Sequence, residues 1–266
     1  MNKFRTVDAE PDQTYDDTYA RHYDLLNQHK NYEEETKRLD ELITSLSVSN
    51  RIPIIDIGCG TGSHAIKLST MRANPISGFD TSSAMINNAK AKDSSVGFFC
   101  KQISHVSSQS YGFAISLFNV VNCIKTIGEL AQFFSNVNRI LLPGSYFFFE
   151  FWNKELVTES PPSTVIRNYS SGGKEFTRTA EPDNSELSSG KLKLLYNIDI
   201  VSSNGLKERF TRVHVLALHS LTEIESSLEE NGFEIMWHRG SLPQLSQSTS
   251  DARMTSVLAK KNTAKS

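Results

Sequence analysis

Hydrophobic positions change their period several times along the chain, and each change predicts an element. Tyr15, Tyr19 and Tyr23 recur every four residues, the spacing of one helix face, and Leu39, Leu42, Ile43 and Leu46 repeat at helical spacing behind an acidic run. Both patterns predict helices ahead of any strand. The run Pro53-Ile54-Ile55-Asp56-Ile57 then reads as a short β-branched strand buried on both faces, as central parallel strands are. From there helical stretches (63–70, 82–91, 127–139) alternate with strand-like ones (76–80, 96–100, 111–117, 145–150). This alternation predicts an α/β fold: a doubly wound, Rossmann-like, mainly parallel sheet. Seven strands are expected once two near the end of the chain (233–239 and 254–258) are counted.

After Trp152 the pattern breaks. Pro161-Pro162, Gly172-Gly173 and Asn204-Gly205 separate strand-like runs such as 192–201, and Asn-Gly between two such runs is a hairpin signal. An antiparallel β insertion over 152–215, laid on the edge of the main sheet, is therefore expected. It divides a core at 51–151 from a completing segment at 216–266, and helices over 1–50 are expected to cover the site. A helix over 221–230 is closed by Asn231-Gly232.

Composition narrows the partners. A formal net charge of −2 gives no reason to expect a nucleic-acid or membrane surface as partner, since either needs a concentrated basic face. The first ten residues lack the apolar core of a secretory signal, and no apolar run approaches the roughly 20 residues that span a bilayer, so a cytoplasmic location is expected. Three cysteines without a C-x-x-C pair encode neither a disulfide framework nor a cysteine-based zinc site, and no metal is expected.

The chemistry concentrates in Asp56-Ile57-Gly58-Cys59-Gly60-Thr61-Gly62, set between the buried strand and the first core helix. Glycines there let bare backbone approach a ligand, and the helix start offers free N–H donors. Asp80 ends the next strand, where a carboxylate accepts hydrogen bonds from vicinal ribose hydroxyls. The spacing is G-x-G-x-G rather than the G-x-G-x-x-G of dinucleotide binders. An acidic residue two positions before the first glycine repels a pyrophosphate and suits the cationic amino group of a methionine moiety. Charge and spacing thus favour S-adenosylmethionine over NAD.

With these residues in hand, the chain resembles the class I S-adenosylmethionine-dependent methyltransferases, through 55–62 and Gly78-Phe79-Asp80. Further matching stretches are Tyr19-Ala20-Arg21-His22-Tyr23-Asp24-Leu25-Leu26, Leu142-Pro143-Gly144-Ser145 and Asn231-Gly232-Phe233. It looks most similar to the branch that methylates sugars and other small molecules beneath an antiparallel lid. The resemblance implies that Asp56, Gly58 and Gly60, with Cys59, Thr61 and Gly62 of the same loop, hold the methionine end, and that Asp80 holds the ribose. It further implies that Thr81 and Met85 flank the adenine, Gln102 and Ile103 cap it, Phe118 and Asn119 form the floor, and Tyr23 joins from the N-terminal helix. Two positions depart from the pattern: Gln102 replaces a frequent Asp, and Cys123 stands where Tyr or His is common.

Methyl transfer is an in-line displacement, so the protein's task is positioning and removal of an acceptor proton. His214, near the end of the insertion, is the candidate base, against a purely structural histidine. Trp152, Asn153, Arg167 and Tyr169 are candidates for the acceptor side, against ordinary packing or a solvated strand. The expectation is a monomeric or homodimeric methyltransferase acting on an oxygen or nitrogen of a small molecule, possibly a sugar or nucleotide-sugar, with S-adenosylhomocysteine as product. A non-catalytic S-adenosylmethionine-binding subunit is the alternative.

Overall fold

Residues 54–57 lie fully buried in the middle of a sheet, and the rest of the architecture is arranged around them. The computed structural model describes residues 15–240 and 252–263 and the backbone of 5–7. In chain order the elements are β1 (Arg5–Val7), α1 (Asp17–Leu26), α2 (Tyr32–Ser45), β2 (Ile54–Ile57), α3 (Ser63–Met71), β3 (Ile76–Asp80), α4 (Ser83–Lys92), β4 (Gly97–Cys100), β5 (Tyr111–Ser116), α5 (Ile127–Ile140) and β6 (Leu141–Trp152). They continue with α6 (Lys154–Glu159), β7 (Val165–Ser171), β8 (Lys174–Asp183), β9 (Lys191–Ser202), β10 (Lys207–Ala217), α7 (Leu221–Glu230), β11 (Phe233–Gly240) and β12 (Met254–Lys261).

The main sheet has seven strands in the order β11-β12-β6-β5-β2-β3-β4. Pairings from β6 through β4 are parallel, and β12 runs antiparallel to both its neighbours. The order reverses between β2 and β5, which opens a crevice at the carboxyl ends of those strands. Both faces are covered, so β6 has no polar alternation in its second half. Phe147, Phe149 and Phe151 pack beneath α5 and α7, while Phe148 points the other way, with Ile54, Phe113 and Leu258.

The second sheet runs β1-β10-β9-β8-β7. Its pairs from β10 to β7 are antiparallel, with Asn204-Gly205 between β9 and β10, and β1 adds in parallel to β10. This sheet does not lie on the edge of the main one as expected. Its inner residues Tyr169, Phe176, Ile198, Ile200 and Phe210 pack on Tyr19, Ala20 and Leu26 of α1 and on Ala84 and Met85 of α4. The reason is the apolar stripe Tyr19, Ala20 and Leu26 on α1, which this sheet face covers.

Asn122, in the short turn after β5, fastens the two layers. Its fully buried amide donates to the Trp152 carbonyl at 3.0 Å and the Ala217 carbonyl at 2.8 Å, and its oxygen accepts from the Trp152 N–H at 2.8 Å. Asn122→Ala orphans the carbonyl ends of β6 and β10 and the Trp152 N–H. It is expected to cost about 2–4 kcal/mol in urea unfolding.

Candidate functional site

The glycine loop leaves β2 with three successive left-handed turns, at Gly58 (φ 72°), Gly60 (φ 54°) and Gly62 (φ 76°). A side chain at Gly58 would strike Val120 at 2.6 Å, whereas one at Gly60 would meet nothing within 4 Å, because that side of the loop faces open space. The loop is tied to the neighbouring strand: the Gly58 and Cys59 N–H groups donate to the Phe79 carbonyl. The Gly60 N–H donates to Asp80 Oδ2 at 2.9 Å, and Asp80 Oδ1 accepts from the Ser82 N–H at 2.9 Å. Burial raises the Asp80 pKa against the pull of these amides.

Asp56 is 3% exposed, and among the described residues no hydrogen bond or ion pair reaches its carboxylate. Burial, and secondarily the charge of Asp80, lift its pKa to about 7. A buried carboxylate left in this state is a receptor for a cation.

Beside the loop lies a cavity of about 760 Å³. Gly58, Gly60, Asp80, Thr81, Met85 and Gln102 line it, as do Ile103, Phe118 and Tyr23. Asp56, Cys59 and Thr61 line a small recess next to it, together with Tyr32 and His64. Phe118 (φ 64°) and Asn119 (φ 59°) are held in the left-handed region, and the Asn119 side-chain oxygen is buried without a partner. A second chamber of about 710 Å³ shares Tyr15, Thr81, Cys123 and Lys125 with the first and continues to His214. The shared residues form a waist between the two.

Residues 54–144 match a family model described as "Methyltransferase domain". Solved structures of similar fold include DesVI of Streptomyces venezuelae: 18% identity, 92% of this chain and 98% of that one covered, TM-score 0.75. Another is the amino pentose methyltransferase CalS10 of Micromonospora echinaspora, solved with S-adenosylmethionine bound: 17% identity, coverage 95% and 100%, TM-score 0.73. A third is the sugar N-methyltransferase KedS8 of Streptoalloteichus: 15% identity, coverage 90% and 92%, TM-score 0.74. The whole chain has the fold of S-adenosylmethionine-dependent methyltransferases, and the loop, the uncompensated Asp56 and Asp80 present a donor and acceptor set that fits that molecule.

Four residues expected on the acceptor side stand apart from both chambers. Asn153 caps α6, accepting from the Glu155 and Leu156 N–H groups. Trp152 packs against a cluster that includes Leu187, Leu192 and Leu218. The Tyr169 hydroxyl donates to the Leu26 carbonyl at 2.8 Å, and Arg167 is exposed on β7. For Tyr169 the cause is α1, which stands between the inner face of the second sheet and the cavity; Trp152 and Asn153 are claimed instead by the apolar cluster and by α6. His214 does line the outer chamber, but burial, then Lys125, Arg178 and Arg212, lower its pKa to about 3. It is neutral throughout the physiological range and is poorly matched to work as a general base near pH 7. Burial likewise raises the Cys123 thiol pKa.

Behind the recess lies a part-buried charge cluster that no sequence motif marks. Lys30 lies 3.6 Å from Glu35 and over the Phe118 ring, and His64 Nε2 is 2.9 Å from Glu35. Glu150, the single charge in an otherwise apolar stretch of β6, is half-buried there and accepts from Ser256. Burial lowers Lys30 to about 8 and raises Glu150. The isolated acid in an aromatic strand was the available signal. No helix among the described residues is long and apolar enough to cross a membrane, and none of their side chains form a metal-binding group.

Lys30→Met leaves two carboxylates around one partly compensated site and is expected to cost about 1–2 kcal/mol at pH 7, where Lys30 is still mostly charged. A raised carboxyl pKa means the folded state holds more protons, so stability falls as pH rises through that window. The deficit of the variant is therefore smaller at pH 5 than at pH 7, which urea unfolding at the two values reads directly.

Proposed function

We propose that the protein is an S-adenosylmethionine-dependent methyltransferase that methylates an oxygen or nitrogen of a small molecule, with a sugar or nucleotide-linked sugar as the leading acceptor. The reading is carried by Asp56: a buried carboxylate without a cation, beside bare glycine backbone, calls for the α-ammonium of a methionine moiety. Asp80 has lone pairs left over for the ribose hydroxyls. Met85, Thr81, Gln102 and Ile103 enclose the adenine, and Phe118, Asn119 and Tyr23 close the methionine side. The second chamber, joined to the first at the waist, is the acceptor's. Structural neighbours named as sugar and amino pentose methyltransferases support that choice of acceptor. We place the activity in the cytoplasm, in a monomer or homodimer, without a nucleic-acid or membrane partner.

The sulfonium supplies the methyl group and its own driving charge. This chain's residues hold the two reactants in line and keep water out, and the acceptor's proton leaves without a neutral-range base. The lack of such a base at His214 and Cys123 also favours one second reading, a subunit that binds S-adenosylmethionine without turnover. A screen of hydroxyl- and amine-bearing acceptors for methyl transfer separates the two.

Calorimetric titration with S-adenosylmethionine and S-adenosylhomocysteine tests the common core. Micromolar binding, lost in Asp80→Ala and untouched by NAD, is expected; no binding would remove the methyltransferase reading. The pH dependence follows from Asp56. Below its pKa of about 7 the carboxyl holds a proton that the bound ammonium must displace. Affinity for S-adenosylhomocysteine therefore rises from pH 5 to pH 7, approaching about tenfold per unit at the acid end, and Asp56→Asn flattens that slope.

A further inference from the structure

Tyr15 occupies the waist between the two chambers and is fixed there at both ends. Its carbonyl accepts from the Ser82 hydroxyl at 2.7 Å, which fastens it to the start of α4, two residues beyond Asp80. Its hydroxyl lies 3.4 Å from His214 Nδ1, with the two rings edge to face at 5.2 Å. His214 is itself boxed by Tyr19 at 5.5 Å and Tyr196 at 4.8 Å, both edge-on, so its ring cannot turn away. His214 Nε2 is buried with no partner, so Nδ1 is the one ring nitrogen that meets a hydrogen-bonding group.

A phenol hydroxyl has one proton and two lone pairs. The Cys123 thiol also stands within hydrogen-bonding reach of the hydroxyl; with the proton on Nδ1 both lone pairs are left for other donors at the place where the chambers meet. We propose that Tyr15 is the side chain that touches the reacting N–H or O–H of the acceptor, accepting a hydrogen bond from it, and that His214 is a positioning residue that holds the Tyr15 proton turned away from the acceptor. This rests on the methyltransferase reading above. It reassigns His214 from base to orienting group and gives Tyr15 a role that the sequence pattern did not. The long hydrogen bond is of the kind that shortens when a site fills.

Sinefungin is the probe, because it carries an amine where S-adenosylmethionine carries the transferable methyl and so presents N–H donors at the waist. S-adenosylhomocysteine lacks that group. By calorimetry, Tyr15→Phe is expected to weaken sinefungin about tenfold while leaving S-adenosylhomocysteine within about twofold. His214→Phe should do the same, His214→Gln should restore the affinity through its side-chain oxygen, and the double variant Tyr15→Phe with His214→Phe should be no weaker than Tyr15→Phe alone. Nitrogen NMR of the free protein should find the His214 proton on Nε2. Sinefungin indifferent to Tyr15→Phe, or a proton on Nδ1, would overturn the assignment while S-adenosylhomocysteine binding stands. Failure of the unaltered protein to bind either compound removes the methyltransferase reading and this inference together. Tyr15→Phe, which deletes one oxygen from a tethered ring, keeps the question answerable should His214→Phe not fold.

Discussion

Helix α1 has two faces to satisfy, and most of the molecule is arranged to satisfy both. On one side the second sheet grips its ends: Asp16 pairs with buried Arg212 at the start, and at the finish Asn27 accepts from Arg178 and the Leu26 carbonyl from Tyr169. On the other side the cofactor half holds it by Thr61 to Asp24 at 2.6 Å, Lys92 to Asp24 at 2.7 Å and Asn88 to the Ala20 carbonyl at 2.7 Å. Thr61 belongs to the glycine loop itself, so the wall over the cavity and the floor beneath it are joined by one short hydrogen bond. Without this helix the cavity would be an open groove.

The grip is not free of cost. The Nε atoms of Arg178 and Arg212 are buried with no partner, as is Nε2 of His214. Buried polar atoms left unpaired are uncommon in folded proteins, and a cluster of them marks a place where geometry has been kept at the expense of stability. The aromatic box around His214 and the guanidinium of Arg178, 5.6 Å from the Tyr196 ring, account for how the charge is tolerated: ring faces stand in for some of the lost hydration.

The sheet and the glycine loop were legible in the sequence because their causes are local. A doubly buried strand must be apolar throughout, and a left-handed turn against Val120 admits glycine and little else, so residues 53–62 announce themselves. The far side of the site was not legible. Tyr169 and Phe176 look like any strand residues until the helix they cover is known, and Trp152 at the mouth of a parallel strand resembles a ligand residue until a neighbouring apolar cluster claims it. His214 was singled out for its position, but its charge state depends on Lys125, Arg178 and Arg212, which no spacing rule brings together. Glu150 was visible as an anomaly and carried no motif.

The wall of the outer chamber comes from residues both before and after the segment that holds the loop, Tyr15 to Asp17 on one side and Val213 to Leu216 on the other. Strand β10, which carries His214 and lies beside β1, is made long after β2 and β3. A chain growing from its amino end has its glycine loop and Asp80 in place early, and it gains residues 213–216 of the outer chamber only when β10 is made. A chain ended before β10 would therefore keep every residue that lines the cavity beside the loop and would lack the far wall of the outer chamber.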